Sequence, residues 1–310
     1  MKTYFVTFLC LILFAGAAGA EVSTTGQSGT IDVPSAFIQQ GRAAITLYDA
    51  YASQNDFLVS GGRIENNTVY AALSYAPLRY LEVSIGSLDS TSLVDSSQVV
   101  DYSGDLRIGI KGSYDVMPGL AIGGLAEVLA YSKTDSIGYN GSAASYTLSL
   151  LASYDMRQAR RSFPLVASLR IGYLWDNTRE LLSSDSDSLL SPIGKYAMGI
   201  RGDDLTLLAL SVLFPLPRYY IEPMLEFTSQ FSGRYASYVS TDQSYGDVSF
   251  NQNPVYITPG VVFYTPVKGL RVTGAVEIAA SRRLLSQSTG GYVSITPQAV
   301  WIGGISYTIH

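Results

Sequence analysis

The residues that could do chemistry in this chain are carboxylates and cationic side chains at alternate positions. Ten share this placement: Glu82, Asp105, Arg107, Lys111, Glu127, Arg170, Glu222, Glu226, Arg271 and Glu277. They comprise six acids and four bases. The charges could line a narrow water-filled pore and bias it slightly toward cations. Alternatively, they could pair with one another and close the space between them, because buried charges are normally paired.

Catalytic and metal chemistry are disfavoured by the composition. The sequence holds one histidine, His310, and one cysteine, Cys10. A Ser–His nucleophile needs an imidazole beside it, and zinc sites need several Cys or His ligands. Asp185-Ser-Asp187 begins like a calcium loop, but Leu189 stands at its fifth position and no glycine follows. We therefore expect no enzyme activity, no cofactor and no metal site.

The elements that must carry these charges are strands with two different faces. Between Asp105 and Lys111, charged or small residues alternate with branched apolar ones, which is the period of a strand. A soluble β-sandwich shows the same alternation, so the period alone leaves both architectures open. An Arg or Lys facing lipid costs about 2–4 kcal/mol near the midplane of a bilayer, so confinement of the charges to one face favours a membrane barrel.

The spacing of turns predicts an all-β, antiparallel up-and-down transmembrane barrel of about twelve strands, with ten to fourteen as the possible range. Aromatic residues close strands at the short turns, as at Tyr75, Tyr114 and Tyr264. Short and long connections alternate, as in outer-membrane barrels, and both chain ends fall on the short-turn side, which requires an even number of strands. The predicted strands are 42–52, 67–76, 79–88, 103–114, 119–131, 143–154, 164–175, 205–214, 219–228, 254–264, 269–280 and 295–309.

Composition agrees with a membrane barrel. Hydrophobic residues make up 47% of the 310 residues and charged residues only 15%, against about 25% charged in average globular proteins. The formal net charge of −5 offers no basic footprint for nucleic acid. Beyond the N-terminus, no apolar run reaches the 18 residues that a spanning helix needs.

The N-terminus is predicted to be a secretory signal peptide. Lys2 precedes an apolar run, and small residues end at Ala20, where cleavage is expected. The expected organisation is therefore a signal peptide over 1–20, a periplasmic or plug-like segment over 21–41, and a transmembrane barrel over 42–310.

A family resemblance lies directly before the first predicted strand. Gly29-Thr-Ile-Asp-Val-Pro-Ser-Ala36, followed by Gly41-Arg42, resembles the mature start of a set of proteobacterial outer-membrane barrels, some of them porin-like. Their pattern is G-[LT]-I-x-x-P-[ST]-A. The resemblance implies that this segment tucks into the periplasmic mouth of the barrel. The last strand also resembles the signal that barrel-assembly machinery recognises, although it ends in His310 instead of Phe or Trp.

These observations lead to one expected location and three candidate functions. We expect a bacterial outer-membrane protein in contact with outer-membrane lipid, lipopolysaccharide and barrel-assembly machinery. The favoured function is a narrow, porin-like passive channel for small hydrophilic solutes or ions. The alternatives are a closed structural or adhesive barrel that presents its loops, and a carrier of hydrophobic small molecules with segment 21–41 as its plug.

Overall fold

The computed structural model describes thirteen stretches of the chain. These are residues 23–24, 27–55, 63–94, 97–132, 139–159, 163–181, 204–232, 237–238, 248–249, 255–281, 284–286, 292–294 and 297–309. The predictions about the signal peptide 1–20, the acidic loop 185–187 and His310 lie outside these residues.

The described strands form one closed antiparallel barrel and two small hairpins. In chain order they are β1 (Ala43–Asn55), β2 (Arg63–Leu78), β3 (Leu81–Val94), β4 (Ser97–Met117), β5 (Leu120–Ser132), β6 (Tyr139–Asp155), β7 (Val166–Trp175), β8 (Leu205–Leu213), β9 (Ile221–Ser232), β10 (Ser237–Tyr238), β11 (Val248–Ser249), β12 (Val255–Tyr264), β13 (Leu270–Ser281), β14 (Leu284–Ser286), β15 (Tyr292–Ser294) and β16 (Ala299–Ile309). The hairpins are β10–β11 and β14–β15, and the other twelve strands make the barrel.

Each barrel strand pairs with its neighbours along the chain, and β1 closes the ring against β16. The closing register runs from Ala43 opposite Ile309 to Ala52 opposite Val300. The predicted architecture of twelve antiparallel strands is therefore confirmed. Among the described residues, no helix has both the length and the apolar composition needed to cross a bilayer.

Several strands are longer than predicted at their long-loop ends. The strand predicted over 103–114 spans Ser97–Met117, and the one predicted over 67–76 spans Arg63–Leu78. The added residues 63–66 and 97–102 continue the pairing with β3, from Ile64 opposite Val94 to Tyr102 opposite Ser90. In the added part of β4, Val99 and Val100 are adjacent, so the alternation of polar and apolar residues breaks there and the sequence pattern does not mark the extension.

The outer wall of the barrel is apolar. Leu73, Ile110 and Leu150 point outward with 52%, 53% and 71% of their surface exposed. Near the short turns the outward residues are aromatic, with Tyr114 and Tyr219 strongly exposed. An outward apolar band flanked by aromatic residues is typical of barrels that span a membrane.

Candidate functional site

The interior of the barrel holds a stretch of the chain that precedes β1. We call residues 27–42 the inner segment. Its side chains Ile31, Val33 and Ala36 are fully buried, and so is Gln27. At the short-turn end the segment joins β1, where the Gly41 amide donates a hydrogen bond to the Ala76 carbonyl at 2.8 Å.

The inner segment reverses direction inside the barrel. Gly29 and Pro34 form an isolated antiparallel bridge, and the Thr30 amide donates to the Val33 carbonyl at 3.1 Å. Gly29 has φ of 154°, and a Cβ there would lie 2.4 Å from the Val33 carbonyl oxygen. Only glycine allows this close approach of backbone to backbone. Ile31 and Asp32 consequently form the tip of the inner segment.

Two apolar clusters fix the inner segment in place. At the tip, Ile31 packs with Tyr48, Met224, Val262 and Ile302, which come from four different barrel strands. Nearer the short turns, Ala36 packs against a second set of buried side chains, namely Ala121, Leu125 and Leu151. Packing on opposite walls restricts the segment to one position.

Glu82 is the centre of a buried polar cluster that binds the inner segment. Its carboxylate pairs with Arg42 at 3.2 Å and with Lys111 at 2.6 Å, and all three side chains are at most 1% exposed. Both the amide and the hydroxyl of Ser28 donate to this carboxylate at 2.9 Å. Lys111 also donates to the Ser28 hydroxyl and to the Ser35 carbonyl, at 2.6 and 3.0 Å.

The charge of Arg42 depends on this cluster. Burial lowers the pKa of the Arg42 guanidinium, and the facing Glu82 carboxylate raises it again. Because an unpaired buried cation is costly, Glu82 stabilises Arg42 and Lys111 together. The cluster therefore ties β3 and β4 to the start of β1 and to the inner segment.

Serine hydroxyls make the next contacts with the inner segment. The Ser35 hydroxyl lies 3.1 Å from that of Ser153, which also accepts a hydrogen bond from the Ala36 amide at 2.8 Å. Ser153 in turn lies 2.8 Å from Ser168 on β7. On the facing wall, the side-chain amide of Gln27 donates a hydrogen bond to the Ser84 hydroxyl at 3.2 Å. Small inward hydroxyls thus leave room for the segment and bind its backbone.

Two further ion pairs each join barrel strands that are separated by one intervening strand. Arg170 pairs with Glu127 at 2.8 Å and also donates to Ser149 at 3.0 Å. Arg271 lies 3.5 Å from Glu222 and stacks over the Tyr264 ring, whose hydroxyl also bonds to Glu222. These pairs neutralise four of the ten predicted site charges.

The ten predicted site residues fall into two groups by burial. Arg107 and Glu277 are half-buried. The other eight are buried: Glu82, Asp105, Lys111, Glu127, Arg170, Glu222, Glu226 and Arg271. The pairing that the sequence offered as the alternative to a pore forms for Lys111, which pairs with Glu82. Within the described part of the chain, Asp105 and Arg107 have no ion pair. Asp105 instead accepts hydrogen bonds from the Ser132 amide and hydroxyl, at 2.8 and 3.1 Å.

Sequence reasoning missed two charged residues of the inner segment that lie in the barrel interior. Arg42 completes the cluster around Glu82, and Asp32 carries a carboxylate into the barrel at the tip of the inner segment. A signal was present in the small inward residues of β6 and β7, such as Ser149, Ser153 and Ser168, because they leave space that larger side chains would fill.

Three carboxylates come close together at the tip of the inner segment. The Asp32 amide donates to the two Glu226 carboxylate oxygens at 3.2 and 3.4 Å. The Asp32 and Glu226 carboxylates each interact electrostatically with Glu277. Burial raises the pKa of the Asp32 carboxyl, and the guanidinium groups of Arg107 and Arg170 oppose that rise. In the part of the chain that the structure describes, no group of three or more His, Cys, Asp or Glu side chains could hold a metal ion.

A cavity of about 1190 Å³ lies between the inner segment and the short turns. Its wall is partly apolar, with Phe37, Ile38 and Leu213, and partly charged, with Arg157 and Arg271. Asp155 binds Arg157 at 2.8 Å and raises the pKa of its guanidinium. The cavity can hold a small solute, while the inner segment fills the barrel beyond it.

No protein family and no curated protein sequence matches the chain. Its structure is similar to that of KdgM porin, with a TM-score of 0.47 and 8% identity, covering 86% of this chain and 99% of the porin. It is also similar to NanC porin, with a TM-score of 0.48 and 8% identity over 85% of this chain and 98% of that one. A further similar structure is the translocator domain of autotransporter NalP from Neisseria meningitidis. Its TM-score is 0.44 and its sequence identity 10%, over 87% of this chain and 89% of that domain.

Proposed function

We propose that the chain is an outer-membrane barrel that acts as a narrow passive channel for small hydrophilic solutes or ions. In this proposal residues 1–20 direct export, segment 21–41 restricts the lumen as a plug, and the ten charged residues line the path. The observation that carries the proposal is a polar, charged interior inside an apolar outer wall. Such an interior suits water and ions better than it suits a structural core.

The way the interior is filled defines how narrow the channel is. The cavity at the short-turn end opens onto the inner segment, and the path beyond is occupied by Ile31 and its apolar neighbours. Hydrophilic solutes therefore cross only when the inner segment moves. The segment is held by hydrogen bonds and small apolar contacts, which are weaker than the continuous strand pairing of the wall.

A plugged carrier of hydrophobic small molecules is the second candidate. One observation favours it: the inward face of β8 is largely apolar, with Leu205 and Ala209 buried and Leu213 on the wall of the cavity. A hydrophobic ligand would remain bound through purification and would be found by mass spectrometry of an organic extract. The adhesive alternative depends on the long loops over 176–204 and 229–253, most of which lie outside the described residues.

The test is conductance across a planar bilayer with the inner segment locked or free. Ser35 and Ser153 have hydroxyl oxygens 3.1 Å apart, so cysteines at these two positions would bring their sulfur atoms close together. The only cysteine of the chain, Cys10, lies in the predicted signal peptide, so a Ser35→Cys/Ser153→Cys variant of residues 21–310 has one possible bridge. The matched control is Ser153→Cys/Ser168→Cys, which shares the change at Ser153 but bridges β6 to β7 and leaves the inner segment without a cross-link.

We expect stepwise, weakly cation-selective currents from the reduced protein, loss of these currents on oxidation, and no loss in the control. Currents that survive oxidation would refute an inner segment that moves as a plug. The ion path would then run beside the inner segment while that segment stays in place. A correctly inserted barrel that stays silent when reduced would refute the channel and favour the carrier or the loop-presenting barrel.

A further inference from the structure

We propose that the tip of the inner segment is a pH-sensitive latch, in which protonation of the Asp32 carboxyl beside Glu226 holds the segment in the barrel and its deprotonation releases the segment. This inference rests on the channel proposed above and names its regulation. It is carried by the position of Asp32, whose amide donates to the Glu226 carboxylate and thereby brings the Asp32 carboxylate close to that of Glu226.

The charged residues that face the tip of the inner segment come from four barrel strands. Glu226 on β9 and Glu277 on β13 are acids, whereas Arg107 on β4 and Arg170 on β7 are bases. Arg170 is already paired with Glu127 on β5. Arg107 is thus left as the one facing cation without an ion pair to a described residue, against three carboxylates. With every carboxylate ionised, the tip is repelled from the wall that binds its backbone.

The hydrogen bonds at the tip place the proton on Asp32. Glu226 accepts hydrogen bonds from the Asp32 amide, and such contacts favour an ionised carboxylate. Thr258 lies directly opposite Glu226 in the β9–β12 register and is fully buried. Its hydroxyl has no hydrogen-bond partner among the described residues, so it is available to donate to the ionised Glu226. The docked form therefore combines an ionised Glu226 with a protonated Asp32.

The sign of the pH effect follows from linkage. Burial raises the pKa of Asp32 in the docked segment above that of a released, hydrated one. The docked state therefore binds the proton more tightly, and docking is strongest below the pKa of the released carboxyl. Docking weakens as the pH rises through the pKa of the docked form. Each pKa unit by which the docked and the released Asp32 carboxyl differ changes the ratio of docked to released segment by about tenfold.

The experiment measures single-channel open probability from acidic to alkaline pH. We expect it to rise with pH in the native chain and to be flat and low in Asp32→Asn, which keeps the tip uncharged. Glu277→Gln removes a repelling charge from the docked tip, so the open probability should rise less with pH than in the native chain. Glu65→Gln, which removes an acid at the long-loop end of β2, is the control and should behave like the native chain.

An unchanged pH profile in Asp32→Asn, or an open probability that falls as the pH rises, would overturn the latch. Because a silent barrel would refute the channel instead, amide hydrogen exchange of residues 27–36 provides an independent readout. At alkaline pH these amides should exchange faster in the native chain than in Asp32→Asn at the same pH, and equally at acidic pH. Equal exchange at both pH values would refute the latch.

Discussion

Neutralising Glu82 is the sharpest perturbation of the barrel interior. Glu82→Gln keeps the size of the side chain but leaves Arg42 and Lys111, 1% and 0% exposed, without their carboxylate. Breaking a buried ion pair by removing one partner costs about 3–5 kcal/mol. The charge-assisted hydrogen bonds from Ser28 weaken at the same time. We therefore expect the free energy of unfolding to fall by about 3–5 kcal/mol, because both cations stay buried in the closed barrel.

The assay is equilibrium unfolding of the refolded barrel in lipid vesicles, followed by tyrosine and tryptophan fluorescence. Glu65→Gln is the matched control, since Glu65 pairs with Arg63 at the surface, where the two side chains are 33% and 56% exposed. Such a pair contributes about 0–1 kcal/mol. Lys111→Met should partly rescue Glu82→Gln, with a coupling of about 0.5–3 kcal/mol. Equal small losses for Glu82→Gln and Glu65→Gln would refute the cluster as the anchor of the inner segment.

Three further outcomes follow from named contacts. Gly29→Ala should push the 30–33 turn away from Pro34, because the added Cβ would lie 2.4 Å from the Val33 carbonyl oxygen. In the Ser35→Cys/Ser153→Cys background, we expect slower disulfide formation on oxidation. An unchanged rate would contradict the close approach of the two backbone segments. Leu125→Ala should cost about 2–5 kcal/mol by leaving a cavity beside Ala36, measured by the same unfolding assay, whereas a loss under 1 kcal/mol would show a loosely packed cluster. Leu150→Arg, on the exposed outer wall, should cost about 2–4 kcal/mol in vesicles if it lies near the bilayer midplane, and a neutral result there would contradict a lipid-facing position.

The barrel could be predicted from the sequence because each strand carries its own two-residue period. The face that holds Asp105 and Lys111 differs from the face that holds Ile108 and Ile110 over a few residues of chain. Alternating short and long connections then determine strand order without any long-range information. The extension of β4 over 97–102 was missed because the adjacent Val99 and Val100 interrupt the two-residue period.

The pairing inside the barrel could not be predicted in the same way. The partner of Glu127 is Arg170, two strands away on β7, and not Arg107 on the neighbouring strand. Which inward charges meet depends on strand tilt and barrel curvature, which no local pattern records. Likewise, the motif from Gly29 to Ala36 indicated a tucked segment, but its contacts with Ser153 and Glu226 come from residues more than a hundred positions away.

The position of the anchors for the inner segment bears on the order in which the barrel assembles. Its hydrogen bonds reach Glu82 and Ser84 on β3, Lys111 on β4, Ser153 on β6 and Glu226 on β9. An open sheet that ends at β9 already carries all of these anchors, before β16 is available to pair with β1. The growing sheet can therefore curl around its own N-terminal residues, which act as an internal template. Closure of the β1–β16 seam then encloses a segment that is already bound, and no later threading through the mouth is needed.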